Sequence, residues 1–89
     1  MTPLEALLAA GVPRERWRSH VIVIQRDGRT VYARPRVDII RQLERRDPGT
    51  AFLIREEGRL ARSNECVVLQ WRSWGPDVRR VRVDEATAT

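Results

Sequence analysis

The side chains best equipped for chemistry in this sequence are its cations and its large aromatics. Seventeen arginines and no lysine stand against twelve acids, for a net charge of +5, and there are three tryptophans. A guanidinium is a planar, permanently charged fork that matches carboxylate or phosphate through paired hydrogen bonds. The absence of lysine removes Schiff-base chemistry. The stretch LQWRSWGPDVRRVRV (69–83) gathers two of the tryptophans and four of the arginines.

Alternation along a strand puts Val67, Leu69 and Trp71 on one face, with Cys66, Val68, Gln70 and Arg72 on the other. With Val81 and Val83 toward a core, Arg80 and Arg82 stand outside. Gln70 and Arg72 then join them across a hairpin, Trp71 points inward and Trp74 reaches the loop. Two readings of this surface compete. Outward charge keeps an exposed edge strand from aggregating. Arginine on an open sheet beside an exposed tryptophan can also hold phosphates and stack a flat group.

The charge is uneven along the chain. Residues 14–46 hold ten arginines and four acids, a local +6, while residues 1–13 carry −1, residues 47–65 carry −1 and residues 66–89 carry +1. Such segregation points to a polyanionic or acidic partner.

The inventory for catalysis is poor. His20 is the lone histidine, at a strand start, and Glu56-Glu57 and Asp84-Glu85 lie in a turn and a tail with no sign of burial. Ser19, Ser63 and Ser73 lack a glycine-framed nucleophile elbow. Neither a phosphate loop nor a metal-ligand spacing occurs. Cys66 is the only cysteine, which excludes an intrachain disulfide; its place among valines reads as apolar filling. No catalytic residue, cofactor or metal is expected.

The elements that position these residues follow from local signals. Thr2, Pro3 and Glu5 make the capping pattern of a short helix that ends at Gly11, and Trp17 anchors the turn after Pro13. SHVIVIQRDGRTVYARP (19–35) predicts a hairpin with a tight turn at Asp27-Gly28, both at positive φ, pairing Ile24 with Val31, Val23 with Tyr32 and Ile22 with Ala33. Both of its faces are partly apolar, which suggests a central position in the sheet or a second layer covering it. RVDIIRQLERRDPG (36–49) predicts a helix that buries Val37, Ile40, Ile39 and Leu43 and stops at Asp47-Pro48-Gly49. TAFLIREEGRLARS (50–63) predicts a second hairpin turning at Glu56-Glu57-Gly58, with Ile54 opposite Leu60 and Leu53 opposite Ala61.

Eighty-nine residues fit one small domain, expected over 1–83, with 84–89 a frayed tail. The expected fold is α+β: an antiparallel sheet of five to six strands, made of hairpins and a C-terminal meander, with an N-terminal helix and one central helix packed on it. A rolled, barrel-like sheet is the alternative. Apolar runs are too short for a membrane span and no signal-peptide pattern opens the chain, so a cytoplasmic location is expected; the thin core leaves room for a homodimer.

Together these features point to a small basic binding protein rather than an enzyme. Its arginine-rich face is expected to hold nucleic acid, DNA or RNA, mainly through phosphates and with little sequence preference. The residues expected to do so are Arg26, Arg29, Arg34, Arg36, Arg41, Arg45, Arg72, Trp74, Arg80 and Arg82. The other class consistent with the sequence is a protein-interaction module, a small inhibitor or adaptor docking arginine and tryptophan onto an acidic partner.

Overall fold

A computed structural model describes residues 2–83; the tail expected at 84–89 lies outside them. The first helix, α1 (Pro3–Ala9), carries the expected capping box: Thr2 Oγ1 accepts from the Glu5 N–H and the Glu5 carboxylate accepts from the Thr2 N–H, both at 3.2 Å. A 3-10 turn (Arg14–Ser19) then seats Trp17, whose indole N–H donates to the Val12 carbonyl at 3.2 Å.

Strands β1 (His20–Ile24) and β2 (Val31–Pro35) pair antiparallel in the register read from the sequence. Their connection differs. Gln25 N–H still donates to the Thr30 carbonyl, so the loop is residues 26–29, and only Gly28 has positive φ, +71°. Asp27 shapes this loop with its side chain rather than its backbone, accepting from the Arg29 and Thr30 N–H groups at 2.8 Å each and from the Thr30 hydroxyl at 2.7 Å. An aspartate that gathers three donors pins the loop without itself taking a left-handed conformation, which falls to Gly28 alone.

Helix α2 (Arg36–Leu43) follows directly. It buries Ile39, Ile40 and Leu43, but Val37, expected in the same stripe, is 58% exposed. Asp47 and Pro48, read as a stop, instead start α3 (Pro48–Leu60). Asp47 caps it by accepting from the Thr50 N–H (3.1 Å) and hydroxyl (2.5 Å), and Pro48 takes the first turn, where no N–H is needed. The second hairpin is therefore absent. Ala51, Ile54, Gly58 and Ala61 are buried, whereas Leu53 and Leu60 are exposed. The buried four recur at the three-to-four spacing of one helical face.

The sheet has four strands in the order β2-β1-β3-β4, with β3 (Glu65–Arg72) and β4 (Gly75–Arg82) antiparallel and β1 parallel to β3. This corrects the expectation of five to six antiparallel strands ending in a meander. β2 brings the chain back to the end of the sheet where β1 began, with Pro35 opposite His20, and two consecutive helices then carry it across β1 so that β3 starts from that same end, parallel to β1. The fold is α+β: a mixed four-stranded sheet between an N-terminal helical layer and a layer of central helices.

Each face has its own core. Leu7, Val12 and Trp17 cover Ile22, Ala33, Cys66, Val68 and Val83 on one side. Ile39, Ile40, Leu43 and Ile54 cover Val21, Val23, Val67 and Leu69 on the other. That is why VIVI and CVVL read as continuous apolar runs: strands buried on both faces need no polar alternation. The Cα radius of gyration is 12.0 Å, the size a single packed unit of this length takes. No described helix is long and apolar enough to cross a membrane.

Candidate nucleic-acid interface

The β3–β4 register fixes where the C-terminal cations go. Gln70 lies opposite Asp77, Trp71 opposite Pro76 and Arg72 opposite Gly75, while Val67 lies opposite Arg80 and Glu65 opposite Arg82. Facing residues of an antiparallel pair share a side. Arg80 and Arg82 are thus on the α3 side of the sheet and Gln70 and Arg72 on the other, so the four do not form the common surface expected of them.

These cations also meet acids. Arg80 pairs with Glu57 at 2.7 Å and donates to the Leu60 carbonyl at 3.2 Å. Arg72 and Arg79 share Asp77, each at 3.0 Å. On and beside α3, Arg55 pairs with Glu44 (3.2 Å) and Arg59 with Glu56 (2.7 Å); the Glu56 hydrogen bond and charge raise the Arg59 pKa further. Trp74 sits in the turn between β3 and β4 and is 71% exposed.

The arginines of residues 14–46 behave differently: among the described residues, none of the ten has a carboxylate within ion-pairing distance. Arg26 and Arg29 stand exposed in the loop after β1. Arg34 lies over the Tyr32 ring, 4.7 Å from its centre, and Arg14 over Trp17 at 5.6 Å. Arg41 is exposed on α2, and Arg45 and Arg46 on the turn that follows it. Arg36 is the exception in exposure. It runs across Gly58 of α3 and donates to the Arg18 carbonyl at 2.6 Å, and burial, then the nearby Arg18 charge, pull its pKa down. Its role is to tie α2 to α3 and to the 3-10 turn.

Strand direction sorts these residues by end of the sheet. The β1–β2 loop and the β3–β4 turn project from the same end, because β1 and β3 are parallel neighbours with Ile24 beside Gln70. Arg26, Arg29, Arg72 and Trp74 are therefore brought together. Arg82 lies seven residues beyond Gly75 along β4. That separation is about 23 Å at a strand rise of about 3.3 Å per residue. Arg36 begins α2 at that far end as well, after Arg34, which pairs with Val21.

Between the two tips is a shallow cleft of about 540 Å³ lined by Gln25, Arg26, Asp27, Thr30 and Trp71. Continuing the register by one residue places Thr30, Gln25, Trp71 and Pro76 in one row across all four strands, on the side of the central helices. Trp71 is half-buried, with part of its ring packed on the core formed with α2 and α3. Gln25 Nε2 donates to the Tyr32 hydroxyl at 2.9 Å. Asp27, its pKa held below the usual carboxylate range by the Thr30 N–H and hydroxyl and by the Arg29 N–H, stays ionised but spends its oxygens on its own loop.

Trp71 and Gln25 were not among the expected site residues. Trp71 shares parity with Val67 and Leu69, which hides that it lies one row further out than the residues the helices cover.

Other groups have structural surroundings. His20 Nδ1 lies 3.0 Å from the Arg16 carbonyl. Cys66 is fully buried, and burial, then Glu65, push its thiol up to about 11. Among the described residues, His, Cys, Asp and Glu side chains form no cluster of three or more able to hold a metal ion. Compared with known proteins, the chain matches no family model, no curated protein and no solved structure.

Proposed function

We propose that this protein is a small cytoplasmic binding protein for nucleic acid, held mainly through phosphate contacts and with little sequence preference. The observation that carries this reading is the contrast between the two groups of arginines. Those of residues 14–46, Arg36 apart, face solvent or aromatic rings without a carboxylate, whereas Arg72, Arg79 and Arg80 are already neutralised. Unpaired guanidinium groups retain the charge that releases counterions from a phosphate backbone. The binding surface is accordingly narrower than the sequence suggested: Arg26, Arg29, Arg34, Arg41 and Arg45, with Trp74 beside the first two.

Titration of labelled single-stranded DNA, duplex DNA and RNA over a range of salt concentrations tests this directly. Contact with about four phosphates gives a log–log salt slope of roughly −3. Absence of any binding to all three polymers at about 50 mM salt would rule the function out.

A second reading, an interaction module for another protein, draws on Phe52, Leu53 and Leu60, which leave an apolar strip on the outer side of α3, and on exposed Trp74. Co-purification of one stoichiometric protein that persists after nuclease treatment is the result that would favour it.

A further inference from the structure

We infer that the cleft between the hairpin tips takes one unstacked base against Trp71, so that the protein discriminates single-stranded nucleic acid from duplex. This rests on the nucleic-acid reading above and adds to it a position, a residue and a preference.

The first argument is the placement of the indole. Trp71 belongs to the last full row of the sheet before the tips, while the rows below it are closed by α2 and α3. The same residue packs against the core and lines the cleft. A ring backed by packed neighbours is already immobilised, so stacking on it costs little further entropy. Every base has a π-face, so such a platform is tolerant of sequence.

The second argument is what surrounds the ring. Arg26 lines the same cleft and Arg29 lies in the same loop, neither paired with an acid among the described residues. The one carboxylate in the wall, Asp27, is engaged by three donors of its own loop. Gln25 is held by its bond to Tyr32, which itself lies beneath Arg34, and its amide carbonyl accepts no hydrogen bond among the described residues. An aromatic platform, a fixed amide and the Arg26 guanidinium within one open cleft, with Arg29 in the adjoining loop, match the three parts of a nucleotide: base face, base edge and phosphate. The cleft volume, about 540 Å³, lies in the range of sites that hold small organic groups.

Duplex cannot use this arrangement. Both faces of each base are covered by its stacked neighbours, and exposing one costs the stacking and pairing of that position. A single strand presents its bases free.

The test compares oligo-dT, oligo-U and a mixed-sequence duplex at one salt concentration, using the wild type, Trp71→Phe and Trp71→Leu, each checked for folding by circular dichroism. The wild type is expected to bind the single strands at least about tenfold more tightly than duplex, the scale of one base–aromatic stack. Trp71→Phe retains most of that preference and Trp71→Leu loses it. Agreement between oligo-dT and oligo-U supports recognition of the unpaired base face, which thymine and uracil share.

Should Trp71→Leu fail to fold, Trp74→Phe leaves Trp71 as the half-exposed indole beside buried Trp17. Saturating oligo-dT must then quench the emission, and unchanged emission overturns the inference. Equal affinity for single strand and duplex overturns it while leaving phosphate binding intact. Loss of all binding removes the underlying function as well. Poly-glutamate binding as tightly as oligo-dT overturns it in favour of an acidic protein partner.

Discussion

Arg36 crosses α3 at Gly58, and a Cβ at that glycine would overlap the arginine's side chain. Gly58 has no left-handed backbone, so the helix itself would accept alanine, with a propensity gain of about 1 kcal/mol. The obstacle is the guanidinium, which would have to leave its bond to the Arg18 carbonyl. Gly58→Ala is therefore expected to destabilise the wild type by about 1 kcal/mol, since a bond to a charged donor contributes roughly 1.5–3 kcal/mol. In an Arg36→Ala background the same change should stabilise by about 0.5–1 kcal/mol. Urea unfolding of the four proteins measures this reversal of sign. Cys66 gives a second residue-scale outcome. Its folded thiol titrates at about 11, above its ordinary value near 9, so the native state holds the proton more tightly. The effect on stability is nil below the ordinary value, and stability falls as pH rises from about 9 to 11, by on the order of 2–3 kcal/mol. Across that window the stability difference between wild type and Cys66→Ala should shrink by this amount.

At the level of elements, α3 begins where Asp47 accepts from Thr50, and the Thr50 hydroxyl and N–H hold the Asp47 carboxyl below the usual carboxylate range. A depressed acid stabilises the fold above its unfolded pKa, and the contribution disappears as pH falls through the lower folded value. Asp47→Ala should accordingly lower Tm at neutral pH, and the deficit should fade below the ordinary aspartate range. The same residues show what the sequence made legible. The β1–β2 pairing, the α1 capping box and the buried Ile39, Ile40 and Leu43 were readable because each follows from short-range periodicity or a local cap. α3 was not, because Asp47-Pro48 serves equally as an ending or a start, and Glu56-Glu57-Gly58 has the composition of a hairpin loop. The discriminating signal was the spacing of Ala51, Ile54, Gly58 and Ala61. It is weakened by glycine and alanine at three of the four positions. With residues 50–63 read as two strands, the parallel β1–β3 pair does not follow from the sequence, and neither does the row that exposes Trp71.

For the molecule as a whole, the imbalance of charge survives folding but does not collapse onto one face. Arg26→Glu/Arg29→Glu should weaken binding at least tenfold at low salt and flatten its salt dependence, because two phosphate contacts are removed. Arg80→Gln removes a cation already committed to Glu57. It should leave affinity within about twofold and cost stability no more than about 1 kcal/mol. Anisotropy titrations of the two variants side by side distinguish cations that are free from cations that are only numerous. The excess of cations in residues 14–46 was legible from composition alone. The Glu57 carboxylate that meets Arg80 was not, because parity cannot reveal an acid arriving from another element. The parallel seam between β1 and β3 carries one more implication. Val21 and Val67 are neighbours in space but 46 positions apart. On the ribosome, every segment through α3 is made before the β3–β4 hairpin emerges. Until it does, the β1–β2 ribbon has an entire row of amide and carbonyl groups on its inner rim with nothing to bond, and that rim is where a nascent chain would be captured by a chaperone or by another copy of itself.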